Sequence, residues 1–445
     1  MKVLFVVTAF YPEQAIGSIR ISKFAKYLHA QGVDISVISL TPPPWAARDE
    51  SLYFEGLKNI SWDVVDQSIV FKTIFQKMRV ATIGTVPGNA GVASNASQSS
   101  IKSKIHSGAQ FFYTLLKGID WTIRIRKHAL KNSKFKDFDF IFCSYPSFAS
   151  PFSGIQLKKL GIGRQLVVDF RDPILSAKTS VFNIRYLLQK YILKNTDLVT
   201  FVSKGVKNQV NKSIPSSNYL IAPNGFDLKD QENLEVTNID ISTRCTLRFV
   251  YTGAIYGGKR DLRPFFEAIS DIITSSNLNK SIIQLEYAGK EGHLFLSQAS
   301  EYNLSDYVVD HGQLSRLDSL KLQKESDICL LATWNTSYEQ GALTGKIFEY
   351  FMFKKPIVAI VVGDMAGSEI YNIIDSIGAG HCFEEAASDS KQKLIAWLEN
   401  AIDEKYKTGE IKNTYNDKVK SFDIYEVVIN LKAKLDQMTK DQPLL

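Results

Sequence analysis

The 445-residue sequence has only four cysteines and no long apolar run. The cysteines lie far apart with no C-x-x-C pair, which argues against structural zinc and against a disulfide framework. Apolar runs stay shorter than the roughly 20 residues that a transmembrane helix needs, and the N-terminal run is too short for a signal peptide. We therefore expect a cytoplasmic protein, with peripheral attachment to the inner face of the plasma membrane left open.

Several signatures of ligand binding are also absent. The chain has no G-x-G-x-x-G fingerprint, no Walker A loop and no G-x-S-x-G elbow, and its histidines lack metal-ligand spacing. A D-x-D pattern at Asp137-Phe138-Asp139 precedes a predicted strand rather than following one, so we interpret it as a solvated loop. No nucleic-acid-binding motif is present. We predict neither a metal site nor a nucleic-acid partner.

The composition is that of a folded protein of two or three domains. Hydrophobic residues make up 45% of the chain and charged residues 22%, which excludes collagen, coiled coil and wholesale disorder. The net charge of +7 is a mild basic bias. Such a bias permits a phosphate-bearing substrate or an anionic membrane surface as a partner.

Two successive α/β series follow each other along the chain. All-apolar runs such as Val3–Val7 and Leu247–Tyr251 are typical of buried parallel strands, and segments of helical spacing separate them. We predict two Rossmann-like, doubly wound domains facing a central cleft. The predicted divisions are a first domain (1–225), a linker (226–246), a second domain (247–415) and a C-terminal helix (416–445) that could cover either domain.

Candidate site residues of the first domain follow its strands. Gly17 precedes a helix, where it would allow close backbone approach or merely help to cap the helix. Asp169-Phe170-Arg171-Asp172-Pro173 follows a buried strand directly. There Asp172 could accept a proton and Arg171 could hold an anion or orient Asp172. The alternative is an internal Arg–Asp pair that only fixes the loop.

A glycine-bearing loop opens the second domain and ends in basic residues. Gly253 follows a strand, and Lys259 and Arg260 precede a helix. Free backbone N–H groups with these two cations would form a diphosphate cradle. A flexible, solvated basic loop is the alternative.

A second anion site is predicted at a helix start in the same domain. Thr344-Gly345 begins the helix, whose N–H groups and dipole favour an anion, and Lys346 adds charge. Glu349 lies one turn further on, where its carboxylate could accept hydrogen bonds from a ribose diol. The alternative is an exposed Glu on a surface helix, but the neighbouring aromatics indicate burial.

Taken together, these segments resemble glycosyltransferase family 4, a family of the two-Rossmann-domain, GT-B type, and its bacterial surface-polysaccharide branch. The resemblance includes Phe10-Tyr11-Pro12, Ser144-Tyr145-Pro146, Pro223-Asn224-Gly225 and Tyr287-Ala288-Gly289-Lys290 besides the candidate residues above. It implies sugar transfer with retention, without a metal or other cofactor, from a UDP- or GDP-sugar to a glycan or lipid-linked acceptor. By the same resemblance the first domain binds the acceptor and the second binds the nucleotide sugar. Within the second domain, Lys259 neutralises the diphosphate and Glu349 binds the ribose.

Two departures from the family pattern put the donor sugar in doubt. The first glutamate of the paired motif is replaced by Gly341, for which Glu339 could substitute, and Ala254 stands where an arginine is usual. Arg260 or Arg263 could compensate for that arginine. A nucleotide-sugar epimerase of the same fold and a catalytically degenerate partner subunit are therefore kept as alternatives.

One stretch has a concentrated basic character. Ile101–Lys136 contains nine Lys or Arg residues against the single acidic Asp120, with aromatic residues among them. This pattern suits an interfacial helix on anionic lipid. A core-facing helix with a solvated basic face is an equal alternative.

Overall fold

The computed structural model describes residues 1–42, 46–48, 50, 53–75, 101–174, 184–211, 218–232, 246–276, 282–337 and 343–440. The chain forms two compact units. The first contains the described residues up to Asn224 together with the C-terminal segment from Ile424, and the second spans Gly225–Asp423. Each is described here by itself.

The first unit is built on a seven-stranded parallel sheet with the strand order β3-β2-β1-β4-β5-β6-β7. The reversal of order between β1 and β4 makes it doubly wound, and ligands of such sheets bind beyond the carboxyl ends of the strands at that point. The strands are β1 (Lys2–Val7), β2 (Asp34–Ser39), β3 (Ser61–Val64), β4 (Phe138–Tyr145), β5 (Gly163–Phe170), β6 (Leu198–Phe201) and β7 (Tyr219–Ile221).

Helices cover this sheet because its central strands are apolar on both faces. They are α1 (Ile16–Ala30), α2 (Ile101–Lys131), α3 (Ala149–Lys159), α4 (Ile184–Lys194) and α5 (Lys204–Asn211), with a 3-10 helix at Glu55–Asn59 and a π-helix at Phe71–Phe75. The C-terminal helix of the chain, Ile424–Lys440, buries Val428, Leu431 and Leu435 in the core beside α1. That helix is therefore part of the first unit, whereas the preceding 3-10 helix, Asp417–Phe422, belongs to the second.

The second unit repeats the design with a six-stranded parallel sheet of order β10-β9-β8-β11-β12-β13. Its strands are β8 (Leu247–Thr252), β9 (Ile283–Ala288), β10 (Val308–Asp310), β11 (Ile328–Trp334), β12 (Ile357–Val362) and β13 (Gly380–Glu384). Its helices are α6 (Leu228–Glu232), α7 (Arg263–Ser276), α8 (Gly292–Ser300), α9 (Arg316–Glu325), α10 (Gly345–Phe353), α11 (Glu369–Ile377) and α12 (Ser390–Thr408), and the C-terminal helix is α13; a 3-10 helix lies at Ser305–Tyr307.

These two sheets confirm the predicted fold class of two Rossmann-like α/β units. The central strands lie where the apolar runs predicted them, and the short strands β3, β10 and β13 were not predicted. Of the predicted linker 226–246, residues 226–232 and 246 are described, and they include the short helix α6. Among the described residues, no helix is both long and apolar enough to cross a bilayer.

Candidate active site

A buried ion pair lies at the carboxyl edge of the first unit's sheet. Arg20, on α1, donates two hydrogen bonds to the Asp169 carboxylate, with Nε–Oδ2 and Nη2–Oδ1 distances of 3.0 and 2.8 Å. Asp169 also accepts hydrogen bonds from the hydroxyls of Ser144 and Thr200. Arg20 donates further to the carbonyls of 222 and 223. Both charges are therefore satisfied within the protein, and this pair ties α1 to β5.

Arg171 lies at the rim of this network and explains why Gly17 is a glycine. A Cβ built on Gly17 would lie 2.2 Å from Nη1 of Arg171, so the guanidinium lies against the first turn of α1 and would have to move if residue 17 had a side chain. The Nε of Arg171 donates to Ser144 Oγ at 3.0 Å. Burial lowers the pKa of Arg171, and the nearby Asp169 opposes that shift. The structure thus brings Gly17 and Arg171 together, with the guanidinium held at one nitrogen.

Asp172 follows Arg171 and is exposed on one side. Protein atoms crowd its other side, and this desolvation raises the pKa of its carboxyl, while the charge of Arg171 lowers it. The buried partner of Asp169 is Arg20 rather than Arg171, so an Arg171–Asp169 ion pair does not fix this loop. Asp172 is left at the surface, where it can meet a substrate.

In the second unit, Gly253, Lys346 and Glu349 meet at the sheet's point of reversed order. Gly253 directly follows β8 with φ of +119°, and a Cβ there would touch the Lys346 side chain at 3.6 Å. The Nζ of Lys346 lies 3.1 Å from Oε2 of Glu349, one turn along α10. Both side chains are partly exposed. A cation and a carboxylate thus face solvent together beside a glycine.

Glu349 is positioned by a residue that the sequence analysis did not identify. The buried Gln323, on α9, donates through Nε2 to Oε2 of Glu349 at 2.8 Å and to Thr252 Oγ1 at 2.9 Å. Among the described residues, nothing donates a hydrogen bond to the other oxygen, Oε1. This arrangement fixes one carboxylate oxygen and leaves the second for a donor such as a diol hydroxyl.

The start of α10 lies beside this carboxylate. Thr344 is the N-cap residue, and its hydroxyl forms no cap hydrogen bond; it is buried, with no partner among the described residues. A Cβ built on Gly345 would meet no atom within 4 Å. There is therefore free space beside Gly345 in the first turn of the helix, the part of a helix whose N–H groups can bind an anion.

The loop after β8 differs from the predicted diphosphate cradle. Its N–H groups at Ile255, Tyr256 and Gly257 donate to the carboxylate of Glu291, with N–O distances of 2.6 to 3.0 Å. Tyr256 and both following glycines have positive φ, so the loop forms the concave run of N–H groups that binds anions. An internal carboxylate fills that concavity, and these N–H groups are not free for a diphosphate.

The basic residues of this loop point in different directions. The guanidinium of Arg260 donates to the Ala254 carbonyl at 3.1 Å and lies 4.5 Å from the Tyr256 ring centroid. The Arg260 guanidinium thus lies beside Ala254, the position where an arginine is usual, but its hydrogen bond joins two residues of the same loop. Arg263 is held by Glu301 and Asp261, hydrogen bonds that raise its pKa, so it does not compensate.

Lys259 lies over an adjacent pocket. Its Nζ is 3.9 Å from the ring centroid of Trp334, the last residue of β11. This pocket, of about 680 Å³, is also lined by Val362, Gly363 and Glu385 beyond the ends of β12 and β13. The cation therefore borders a cavity at the same carboxyl edge as Lys346 and Glu349.

Comparisons with known proteins show the fold of the whole chain. Sucrose-phosphate synthase from Thermosynechococcus elongatus superposes with a TM-score of 0.61 at 13% identity, covering 99% of this chain and 100% of that one. The E. coli trehalose-6-phosphate protein bound with UDP-2-fluoro glucose gives 0.62 at 12%, covering 98% and 99%. The lipopolysaccharide outer core galactosyltransferase WaaB gives 0.57 at 12%, covering 98% and 100%. The fold is of the GT-B type. No protein-family model and no curated protein sequence matches the chain.

Two further sequence motifs remain to be placed in this GT-B fold, the glutamate motif and the D-x-D pattern. Gly341 and Glu339, the positions of the departing glutamate motif, are outside the described residues. Asp139 accepts a hydrogen bond from the Lys2 backbone N–H. No group of metal-binding side chains occurs in the part of the chain that the structure describes. The signal that could have identified Glu291 is its position just beyond β9, the neighbour of β8.

Proposed function

We propose that this chain is a retaining, metal-independent glycosyltransferase of family 4. It would move a sugar from a nucleotide-sugar donor, a UDP- or GDP-sugar, to a glycan or lipid-linked acceptor in bacterial surface-polysaccharide synthesis, such as that of O-antigen, capsule or exopolysaccharide. The observation that carries the proposal is the Lys346–Glu349 pair at the start of α10. The pair lies at the carboxyl edge of a GT-B sheet, with free space beside Gly345.

The second unit would bind the donor. Oε1 of Glu349 would accept hydrogen bonds from a ribose diol, while Gln323 holds Oε2. Lys346 and the N–H groups of Thr344-Gly345 would bind the diphosphate, and Gly253 leaves room beside Lys346. Lys259 and Arg260 are proposed as further donor-binding residues, Lys259 through its Nζ above Trp334.

Catalysis would proceed by stabilising the leaving diphosphate. When the bond between the anomeric carbon and the diphosphate oxygen breaks, negative charge develops on that oxygen. Lys346, Lys259 and the start of α10 supply positive charge to it. In the first unit, Asp172 would accept the proton of the acceptor hydroxyl, and Arg171 with Gly17 would bind an anionic group of a substrate. These assignments need no metal ion.

Binding of nucleoside diphosphates to the Glu349→Ala variant tests this proposal most directly. We expect the affinity for UDP or GDP, measured by calorimetry, to fall about 10- to 100-fold, because hydrogen bonds to a charged group are lost. Glu399→Ala is the matched control, since Glu399 is an exposed glutamate on α12 of the same unit. The control should bind as the parent protein does.

The product of the reaction separates the alternatives. Anomeric NMR of the product should show the configuration of the donor sugar retained and transferred to an acceptor. Conversion of the donor sugar without an acceptor would instead identify an epimerase. Absence of binding for every nucleoside diphosphate would identify a degenerate partner subunit, and equal affinity of Glu349→Ala and the parent would refute the assigned ribose site.

A further inference from the structure

Helix α2 uses one face for the core and leaves an apolar stripe on another. Trp121 and Ile125 are buried, and the Trp121 indole donates to the Val65 carbonyl. Four other apolar side chains are 43% to 60% exposed, namely Phe112, Ile119, Ile123 and Leu130. Their spacings of seven, four and seven residues are about two, one and two helical turns, so they form one straight stripe.

Helix α4 presents a second stripe of the same kind. Ile184, Leu187 and Tyr191 are 39% to 56% exposed, and their spacings of three and four residues place them on one face. Between the two helices runs an apolar groove of about 390 Å³, lined by Ile119 and Ile123 of α2, Phe152 of α3, and Leu188 and Tyr191 of α4, with Thr122, Arg126 and Gln156. Ile119 and Ile123 of the first stripe and Tyr191 of the second thus line the groove, and the groove with the two stripes is named here the α2–α4 surface.

The two helices that bear this surface contain many more basic than acidic residues. Among the side chains that the structure describes on them, the exposed basic ones are Arg124, Arg126, Lys127, Lys131, Arg185, Lys190 and Lys194. The only acidic residue in either helix is Asp120, whose carboxylate accepts hydrogen bonds from the N–H and hydroxyl of Ser68. Its charge is therefore directed toward the protein.

We propose that the α2–α4 surface binds an anionic lipid bilayer. The apolar stripes would enter the headgroup region, and the long basic side chains would extend to the lipid phosphates. Anionic lipid is the occupant favoured by the seven exposed cations, because each basic residue near such a surface strengthens binding. The surface differs from the sequence-based expectation, since α4 also contributes to it and the buried Trp121 takes no part. Binding to vesicles needs no catalysis, so it can fail or succeed independently of the proposed glycosyl transfer.

Cosedimentation of the full chain with vesicles tests the proposal. We expect binding to vesicles of phosphatidylcholine mixed with phosphatidylglycerol, and none to vesicles of phosphatidylcholine alone. High salt should weaken the binding, since the lipid charge is screened. Equal binding to both vesicles, or binding to neither, would overturn the proposal.

Two double variants divide the apolar from the electrostatic contribution. Ile119→Ser with Ile123→Ser should weaken vesicle binding at least about tenfold by loss of buried apolar area. Arg126→Glu with Lys190→Glu should weaken it at least about 25-fold, at about fivefold per lost cation. All four side chains are exposed, so the fold, checked by thermal unfolding, should persist.

Matched controls are available in the second unit. Leu296→Ser with Leu317→Ser removes two exposed apolar side chains, and Lys412→Glu with Lys418→Glu makes the same change in net charge. Both controls should bind vesicles as the parent does. If the controls lose as much binding as the α2–α4 variants, or if the stripe variant instead turns a dimer in sedimentation velocity into a monomer, the bilayer is not the occupant of this surface.

Discussion

The strand order of both sheets reverses at one point, but the charged residues at the two carboxyl edges differ in how deeply they are buried. In the first unit, Arg20 and Asp169 are buried and paired with each other. In the second, Lys346 and Glu349 are partly exposed, and one oxygen of Glu349 accepts no hydrogen bond from the described residues. A buried ion pair holds distant segments of the chain together, whereas a partly exposed ion pair can exchange bound water for a ligand. The same position in the fold is therefore closed by an internal ion pair in one unit and open to solvent in the other.

The largest expected effect comes from removing one partner of the buried Arg20–Asp169 ion pair. Asp169→Ala would leave the Arg20 guanidinium buried and uncompensated, so the first unit should lose about 3–5 kcal/mol of stability. Glu349→Ala should cost less than about 1 kcal/mol, because solvent reaches that pair. Urea denaturation followed by tryptophan fluorescence measures both. Equal losses of unfolding free energy in the two variants would contradict the inference that only the first unit's ion pair stabilises the fold strongly.

A smaller effect is expected at Glu291, whose carboxylate accepts three backbone hydrogen bonds within the second unit. Glu291→Gln removes the charge that three N–H groups of the loop at 255–257 share, so their amide hydrogen exchange should accelerate about 10- to 100-fold. The kcat for sugar transfer should fall as well, since this loop leads to Lys259, which is proposed to stabilise the leaving diphosphate. Glu399→Gln serves as the matched control. Unchanged exchange would show that Glu291 does not hold this loop.

The smallest effect concerns the exposed Asp172. Its raised carboxyl pKa means that the folded protein binds this proton more tightly than the unfolded chain, so ionisation of Asp172 disfavours folding. Asp172→Asn should therefore stabilise the protein at neutral pH, by less than about 1 kcal/mol because solvent screens the charge. The gain should vanish below the ordinary aspartate pKa of about 3.9, where both states are protonated. Thermal unfolding at neutral and acidic pH measures it, and a gain that persists in acid would refute this origin.

Sequence reasoning succeeded where a residue's environment is set by its neighbours in the chain. All-apolar runs located the central strands, and the order of glycine, lysine and glutamate located Gly253, Lys346 and Glu349 at one edge. It missed short edge strands such as β10, which have only three residues and are partly polar. Three residues give too little periodicity to distinguish a strand from a loop.

Contacts between distant segments were also beyond reach. Gln323 precedes Glu349 by 26 residues, and Asp169 follows Arg20 by 149. Nothing local distinguishes Gln323 from a solvated residue of an amphipathic helix, or Glu291 from a loop glutamate. Their partners are chosen by which strands are neighbours in the sheet, and that choice depends on the whole fold.

Helix α13 has a consequence for the order in which the protein can be completed. It supplies Val428, Leu431 and Leu435 to the core of the first unit, but the ribosome makes it only after the entire second unit. During synthesis the first unit therefore waits, with an apolar patch beside α1 uncovered, while some 200 intervening residues emerge at about 5–20 residues per second. The first unit, although synthesised first, therefore completes its folding last, and its exposed apolar patch is accessible to a chaperone for tens of seconds.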